Sequence, residues 1–238
     1  MALDSTSSDA HTSLAAILTD RADWQRAEAE FERAIALAPS NALARHWYAT
    51  LLATLGRKED AVREVRRAAE LDPLSQPIHG SVIDIERYAG VRKPFSKVPD
   101  RDSMIDPNHA GAIAIRSVRL AQTGSCPEAF VENRHAQELA PNNTQIRLTL
   151  VWVYSFCTEK LKARALLDSI ERRPDAPLSG VFIASWFANR KQPDSAFAWL
   201  DRSQWNMQSR YQLRVLPALE PVRSDPRFAK LLAGMGLR

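Results

Sequence analysis

Apolar residues recur along this chain at intervals of three and four, the spacing that gathers side chains on one face of a helix. The stretch from Ala42 to Leu55 places Trp47, Tyr48, Leu51, Leu52 and Leu55 on such a face. Gly56 follows, a residue suited to the left-handed conformation that ends helices. A second stretch runs through Ala61, Val65, Ala68 and Leu71 and stops at Asp72-Pro73, because proline cannot continue a helix and restricts the residue before it. Ala49, Ala61 and Ala68 are small where two helices must approach closely. The pattern predicts a helix–turn–helix unit.

The unit repeats. Ala27, Ala61, Ala129 and Ala163 share a 34-residue register, and Pro39, Pro73, Pro107 and Pro141 keep the same period. A fixed period of this size marks stacked helix pairs. The first unit carries Ala15, Ala27, Phe31, Ala34 and Pro39. The fourth carries Ser117, Gly124, Ala129, Ala136 and Pro141, with Asn133 where a large apolar residue is expected. The fifth carries Leu150, Tyr154, Ala163 and Leu167, with Ile170 replacing an alanine, and a shortened sixth carries Ala184, Phe187, Ala196 and Leu200. The third begins with a helix from Gln76 to Tyr88, but Gly90 to Met104 contains Pro94, Pro99 and a polar run and predicts a loop or broken helix. Ser224-Asp225-Pro226 reads as a helix start followed by an apolar face of Phe228, Leu231 and Leu232. The predicted fold is all-α: a solenoid of about six repeats over 8–210, degenerate at 90–104, closed by a capping segment over 211–238.

These residues resemble the tetratricopeptide repeat (TPR) family, whose 34-residue pattern has a small residue in its first helix, two alanines around a large apolar residue in its second, and a closing proline. Two stretches, Arg45 to Ile78 and Leu216 to Leu237, are similar to the TPR halves of bacterial multidomain regulators that also carry a winged-helix, cyclase or kinase domain. No such domain is present in this chain, so DNA binding and catalysis are not carried over. The resemblance implies a right-handed superhelical solenoid with a concave face, built by the first helix of each unit, that holds a peptide or helix. In this chain it assigns to that face His46 and Thr50; Asp84, Arg87 and Tyr88; Val118 and Gln122; Gln145, Trp152, Ser155 and Phe156; and Ser185 and Asn189. Trp152 and Phe156, one turn apart, form either an aromatic anchor or part of the core. TPR modules that clamp a terminal carboxylate use Lys and Asn where this chain has Thr12 and Ala16, so that ligand class is disfavoured.

Composition adds little and excludes more. Only 8 glycines in 238 residues disfavour a β-rich or linker-rich chain, and 45% apolar content supplies a core. The net charge of +4 is mild, and charges alternate along helix surfaces, as from Val62 to Glu70; this is a solvated face rather than a nucleic-acid footprint. A nucleic-acid reading would rest on Arg87, Arg92, Lys93, Lys97 and Arg101. The N-terminus lacks a basic and apolar leader, and the apolar run Leu148 to Cys157 is too short to span a bilayer; a cytoplasmic protein without membrane contact is expected. Cys126 and Cys157 lack metal spacing; two free thiols are expected, with a single bridge between neighbouring turns the alternative. Phosphate-binding, nucleophile-elbow and zinc motifs are missing. The five histidines (His11, His46, His79, His109, His135) are dispersed, and Glu28 and Glu32 read as solvated carboxylates. No enzyme, cofactor or metal is expected. The sequence points to a protein-interaction scaffold in bacterial signalling or transcriptional regulation, with a small-molecule sensor as the alternative and self-association through open repeat ends compatible with either.

Overall fold

The computed structural model describes residues 7–91, 109–171 and 180–237. All elements among them are helical: α1 (Ser8–Asp20), α2 (Trp24–Leu37), α3 (Ala42–Thr54), α4 (Lys58–Leu71), α5 (Gln76–Ala89), α6 (Ala110–Gln122), α7 (Cys126–Leu139), α8 (Thr144–Phe156), α9 (Lys160–Glu171), α10 (Gly180–Asn189), α11 (Pro193–Asp201), α12 (Met207–Val215), a 3-10 turn at Pro217–Leu219, α13 (Glu220–Arg223) and α14 (Pro226–Gly234). The chain is thus all-α and built from helical repeats, as its periodicity predicts. It forms two compact units. The first joins residues 1–98 to 180–238, and the second is the intervening 99–179.

The 34-residue period is written in the backbone. Ala22, Gly56, Gly90, Gly124 and Thr158 all have positive φ, between 58° and 91°, and stand one period apart; Lys191, one residue early in the shortened sixth unit, has φ 58°. Each is the turn between the two helices of a pair or, at Gly90, the end of α5. Glycine adopts this conformation freely, whereas Ala22, Thr158 and Lys191 hold it at a steric cost of about 1–2 kcal/mol each. Helix starts repeat as well: the side chains of Asn41 and Asn143, three periods apart, accept hydrogen bonds from the backbone N–H groups of Ala44 and Ile146 at 3.0 and 3.3 Å. The second helix of each pair buries one face completely: Ala27, Phe31 and Ala34 in α2, Ala61, Val65 and Ala68 in α4, and Ala163, Leu167 and Ile170 in α9.

In the first unit, α1 to α5 form two and a half repeats, and α10 and α11 form another pair. Ion pairs follow the register: His11 Nδ1 meets Glu30 at 2.5 Å, and Arg45, one period on, meets Glu64 at 2.6 Å. Glu28 departs from expectation. It is half-buried, accepts the Tyr48 hydroxyl at 2.9 Å and pairs with Arg57, so it braces α2 against α3 and the following turn instead of standing free in solvent. α14 starts where predicted, with Asp225 accepting from the Arg227 N–H at 2.9 Å. It and its C-cap reach α11 and α2: Arg227 meets Asp194 of α11 at 2.8 Å, and Met235 O accepts from the Trp24 indole at 3.0 Å. The break predicted from Gly90 to Met104 lies, beyond Val91, outside the described residues.

In the second unit, α6/α7 and α8/α9 are two repeat pairs. Asn133 is fully buried where α2 and α4 have Phe31 and Val65. Its amide donates to Ser117 Oγ at 3.0 Å and Thr149 Oγ1 at 2.8 Å, and its carbonyl accepts from Gln137 Nε2 at 2.8 Å. A buried amide with its polar atoms satisfied is tolerated. Ser117 and Thr149 each stand 16 residues from Asn133, one on each flanking helix, so the substitution is coordinated across the layer. The expected free thiols are not found: Cys126, opening α7, and Cys157, ending α8, form a disulfide with Cα atoms 5.7 Å apart. The stacking of successive pairs brings the start of one repeat's second helix beside the end of the next repeat's first helix, a proximity the 31-residue separation conceals.

Candidate protein-interaction face

Three of the first helices of the repeats in the first unit, α1, α3 and α5, share a face, and it is not empty. α12 packs against all three. Its apolar stripe buries Tyr211 and Val215 in the same core as Leu51, Leu52 and Ile85. Its starting residues form a capping box, Asn206 accepting from Ser209 N–H at 2.8 Å and Ser209 Oγ accepting from Asn206 N–H at 2.9 Å. Two arginines four residues apart hold it in place. Arg210 donates to the carbonyls of Thr19 and Asp20 at 3.2 and 3.0 Å, and Arg214 donates to Thr54 O at 3.0 Å. Asp20 and Thr54 are one repeat period apart, each the last residue of its helix. Carbonyls there lack helical partners and carry the negative end of the helix dipole. One turn of α12 therefore spans one repeat. Burial lowers the pKa of both guanidiniums, opposed at Arg210 by the Asp20 charge and at Arg214 by Tyr88. The next position in this register is Tyr88, whose ring carries Lys58 at 4.5 Å and Arg223 at 5.8 Å.

The residues assigned to the concave face fall in both units. His46, Thr50, Asp84, Arg87, Tyr88 and Asn189 belong to the first, and Gln122, Gln145, Trp152, Ser155 and Phe156 to the second. His46 meets Ser81 Oγ of α5 at 2.8 Å, and burial pushes its pKa down to about 4. Thr50 is buried, its hydroxyl donating to the carbonyls of His46 and Trp47, both at 2.9 Å. Asp84 and Arg87 pair with each other at 2.7 Å, and Asn189 is exposed at the end of α10. In the second unit Trp152 is buried and stacks on half-buried Phe156, with centroids 5.8 Å apart and planes at 26°. Ser155 donates to Val151 O at 2.7 Å, while Gln122 and Gln145 are exposed. Trp152 is thus a core residue that a ligand would meet only at its edge.

Sequence reasoning missed α12. Its signal was present in the 207–215 stretch, where Arg210 and Arg214 each precede one member of an apolar pair at the same spacing, Tyr211 and Val215. Among the described residues, no group of three His, Cys, Asp or Glu side chains could hold a metal ion, and no helix is long and apolar enough to cross a membrane.

Paired helices of 34-residue period, turned by a left-handed residue and layered through alanines, define a helical-repeat protein. Residues 18–80 match the family model of the tetratricopeptide repeat. No curated sequence matches the chain. Among solved structures the fold is similar to one from a functional characterisation of pilF of Pseudomonas aeruginosa, with 16% identity and a TM-score of 0.51 over 92% of this chain and 97% of that one. It is also similar to YrrB, a TPR protein (18% identity, TM-score 0.44, covering 72% of this chain and 89% of that one). A third is TTC0263, a TPR protein of Thermus thermophilus (19% identity, TM-score 0.41, covering 95% of this chain and 100% of that one). At 16% identity the likeness to the pilF structure is one of fold alone.

Proposed function

We propose that this chain is a non-enzymatic protein-interaction scaffold whose repeats hold a helical or extended segment of a partner. The observation that supports this reading most directly is α12. The first-helix face of the first unit already accommodates a helix, through buried Tyr211 and Val215 and through arginines on the free carbonyls of Asp20 and Thr54. A face built this way suits helix-in-groove recognition. In the first unit the face of α1, α3 and α5 is taken, so the residues left for a partner are chiefly the exposed or half-exposed positions of the second, Gln122, Gln145, Ser155 and Phe156, with Asn189 also exposed at the end of α10. Bacterial regulation is the setting that the resemblance of Arg45 to Ile78 and Leu216 to Leu237 favours. A cytoplasmic location is compatible with the Cys126–Cys157 bridge only where the bridge is reduced or transient, since disulfides persist in oxidising compartments.

Affinity capture from a bacterial lysate with the full chain tests the proposal. Wild type is compared with a Gln122→Glu/Gln145→Glu double variant, whose exposed positions leave the core untouched. The expected result is a protein recovered with wild type and lost with the variant. Equal recovery by both removes the second-unit face from the reading.

A further inference from the structure

The second unit carries a cleft that the repeat pattern does not assign. It has a volume of about 290 Å³ and lies among α7, α8 and α9. Its floor is apolar and half-buried: Phe130, Leu150 and Tyr154, with the Phe130 and Tyr154 rings 5.4 Å apart. Its rim is cationic. Arg134 is exposed and forms no ion pair with a described residue, and Lys162 lies 6.0 Å over the Tyr154 ring and 3.2 Å from Glu159. One carboxylate thus faces two cations. The wall is fixed by the buried polar layer: Gln137 donates its amide N–H to Asn133 Oδ1 at 2.8 Å, which leaves its carbonyl oxygen as an acceptor for an occupant. Asn133, the departure from the repeat's apolar pattern, therefore orients a cleft residue.

Size and charge select the occupant. Small-molecule sites enclose roughly 300–1,000 Å³ and cover most of the ligand. A shallow cleft at the bottom of that range, floored by two rings and a leucine, fits one large side chain better than a metabolite. The uncompensated rim positive charge complements carboxylates beside that side chain.

We propose that the cleft among α7, α8 and α9 docks an acidic peptide segment of a partner protein, one Phe or Leu side chain lying on Phe130, Leu150 and Tyr154 and its neighbouring carboxylates meeting Arg134 and Lys162. The proposal rests on the scaffold reading but uses a surface other than the first-helix face.

The test uses the full chain and a fluorescein-labelled peptide, Gly-Glu-Asp-Phe-Glu-Asp-Gly, with two controls: Phe replaced by Ser, and every acidic residue replaced by Lys. Fluorescence polarisation at low salt should show the acidic Phe peptide binding at least tenfold more tightly than either control, and Arg134→Glu should weaken it at least tenfold. Arg134 is exposed, so that variant should keep the wild-type thermal midpoint. Arg134→Lys should recover part of the affinity. Amide NMR shifts should map to Phe130–Gln137 and Leu150–Lys162. Binding within twofold of wild type for Arg134→Glu, equal binding of the lysine peptide, or no binding of any peptide overturns the cleft. Shifts confined to the neighbourhood of Gln122 and Gln145 overturn it as well, while leaving the scaffold reading intact.

Discussion

The two units use one repeat plan and finish it differently. In the first, the shared face of α1, α3 and α5 is covered by α12 from the far end of the chain, and the apolar residues there form one core. In the second, α6, α7 and α8 are tied by a buried amide on Ser117 and Thr149 and by a disulfide, beside small apolar clusters of their own, with no helix of that unit beyond α9 laid across them among the described residues. The 34-residue code therefore specifies the helix pair and its turn but leaves the first-helix face open. What occupies that face is decided by residues outside the code. A unit that supplies its own occupant gains apolar burial, the largest favourable contribution to folding; a unit without one keeps only the smaller apolar clusters between its own helices, reinforced by cross-links within its layers.

Removing the occupant's anchor should separate the two units most strongly. Tyr211 is 3% exposed within the first unit's core, and Tyr211→Ala is expected to cost about 3–5 kcal/mol, as for other large aromatic truncations. Urea unfolding followed by amide exchange should place the loss in α1 to α5 and α10 to α14, with α6 to α9 unchanged. A loss below about 1 kcal/mol would mean that α12 is an accessory and the face of the first unit is open in solution.

The complementary experiment acts on the second unit. The bridge closes a loop of 31 residues, for which the chain-entropy account gives a stabilisation of about 3–4 kcal/mol. Reduction with dithiothreitol, or Cys126→Ser/Cys157→Ser, should destabilise α6 to α9 by that order and leave α1 to α5 untouched. Counting thiols in the denatured chain without reductant checks the premise: two reactive thiols would return the cysteines to the unpaired state that their sequence context favours.

Most of the fold was legible in the sequence because it repeats. Alanines at Ala27, Ala61, Ala129 and Ala163 are all fully buried, and among the described residues a helix boundary falls close to each glycine or proline of the period. Less legible was the turn at Ala22, Thr158 and Lys191, where no glycine announces a positive φ; the period predicts it, but residue type argues against it. Asn133 was visible as a departure, yet its meaning needed Ser117, Thr149 and Gln137 together, and only their packing supplies that. The candidate face was the least legible. Register says which side of a helix a residue stands on and nothing about what lies against it, so Thr50 and Trp152 were assigned to a ligand face and are buried. α12 escaped because it obeys no repeat, its two arginines being matched to carbonyls some 160 to 190 residues away.

A smaller effect separates the units by charge. His46 has its pKa pushed by burial from 6.5 down to about 4. One and three periods away, the same register position is held by Gly80 and Leu148, and Ala114 stands two periods away; none of these titrates. Above pH 6.5 the imidazole is neutral in both folded and unfolded chains and contributes no pH dependence. As pH falls below 6.5, the unfolded chain takes up a proton that the folded chain refuses, so stability declines until the folded group titrates near pH 4. The full gap corresponds to at most roughly 3 kcal/mol, and partial exposure of the site argues for the lower part of that range. Urea midpoints for the first unit should therefore fall between pH 6.5 and 4 by more in wild type than in His46→Gln, whose amide can still meet Ser81. The second unit's midpoints should show no difference between the two proteins. Parallel curves for wild type and His46→Gln in the first unit would mean that the imidazole stays hydrated there and that the α3–α5 contact is looser than the His46–Ser81 distance of 2.8 Å implies.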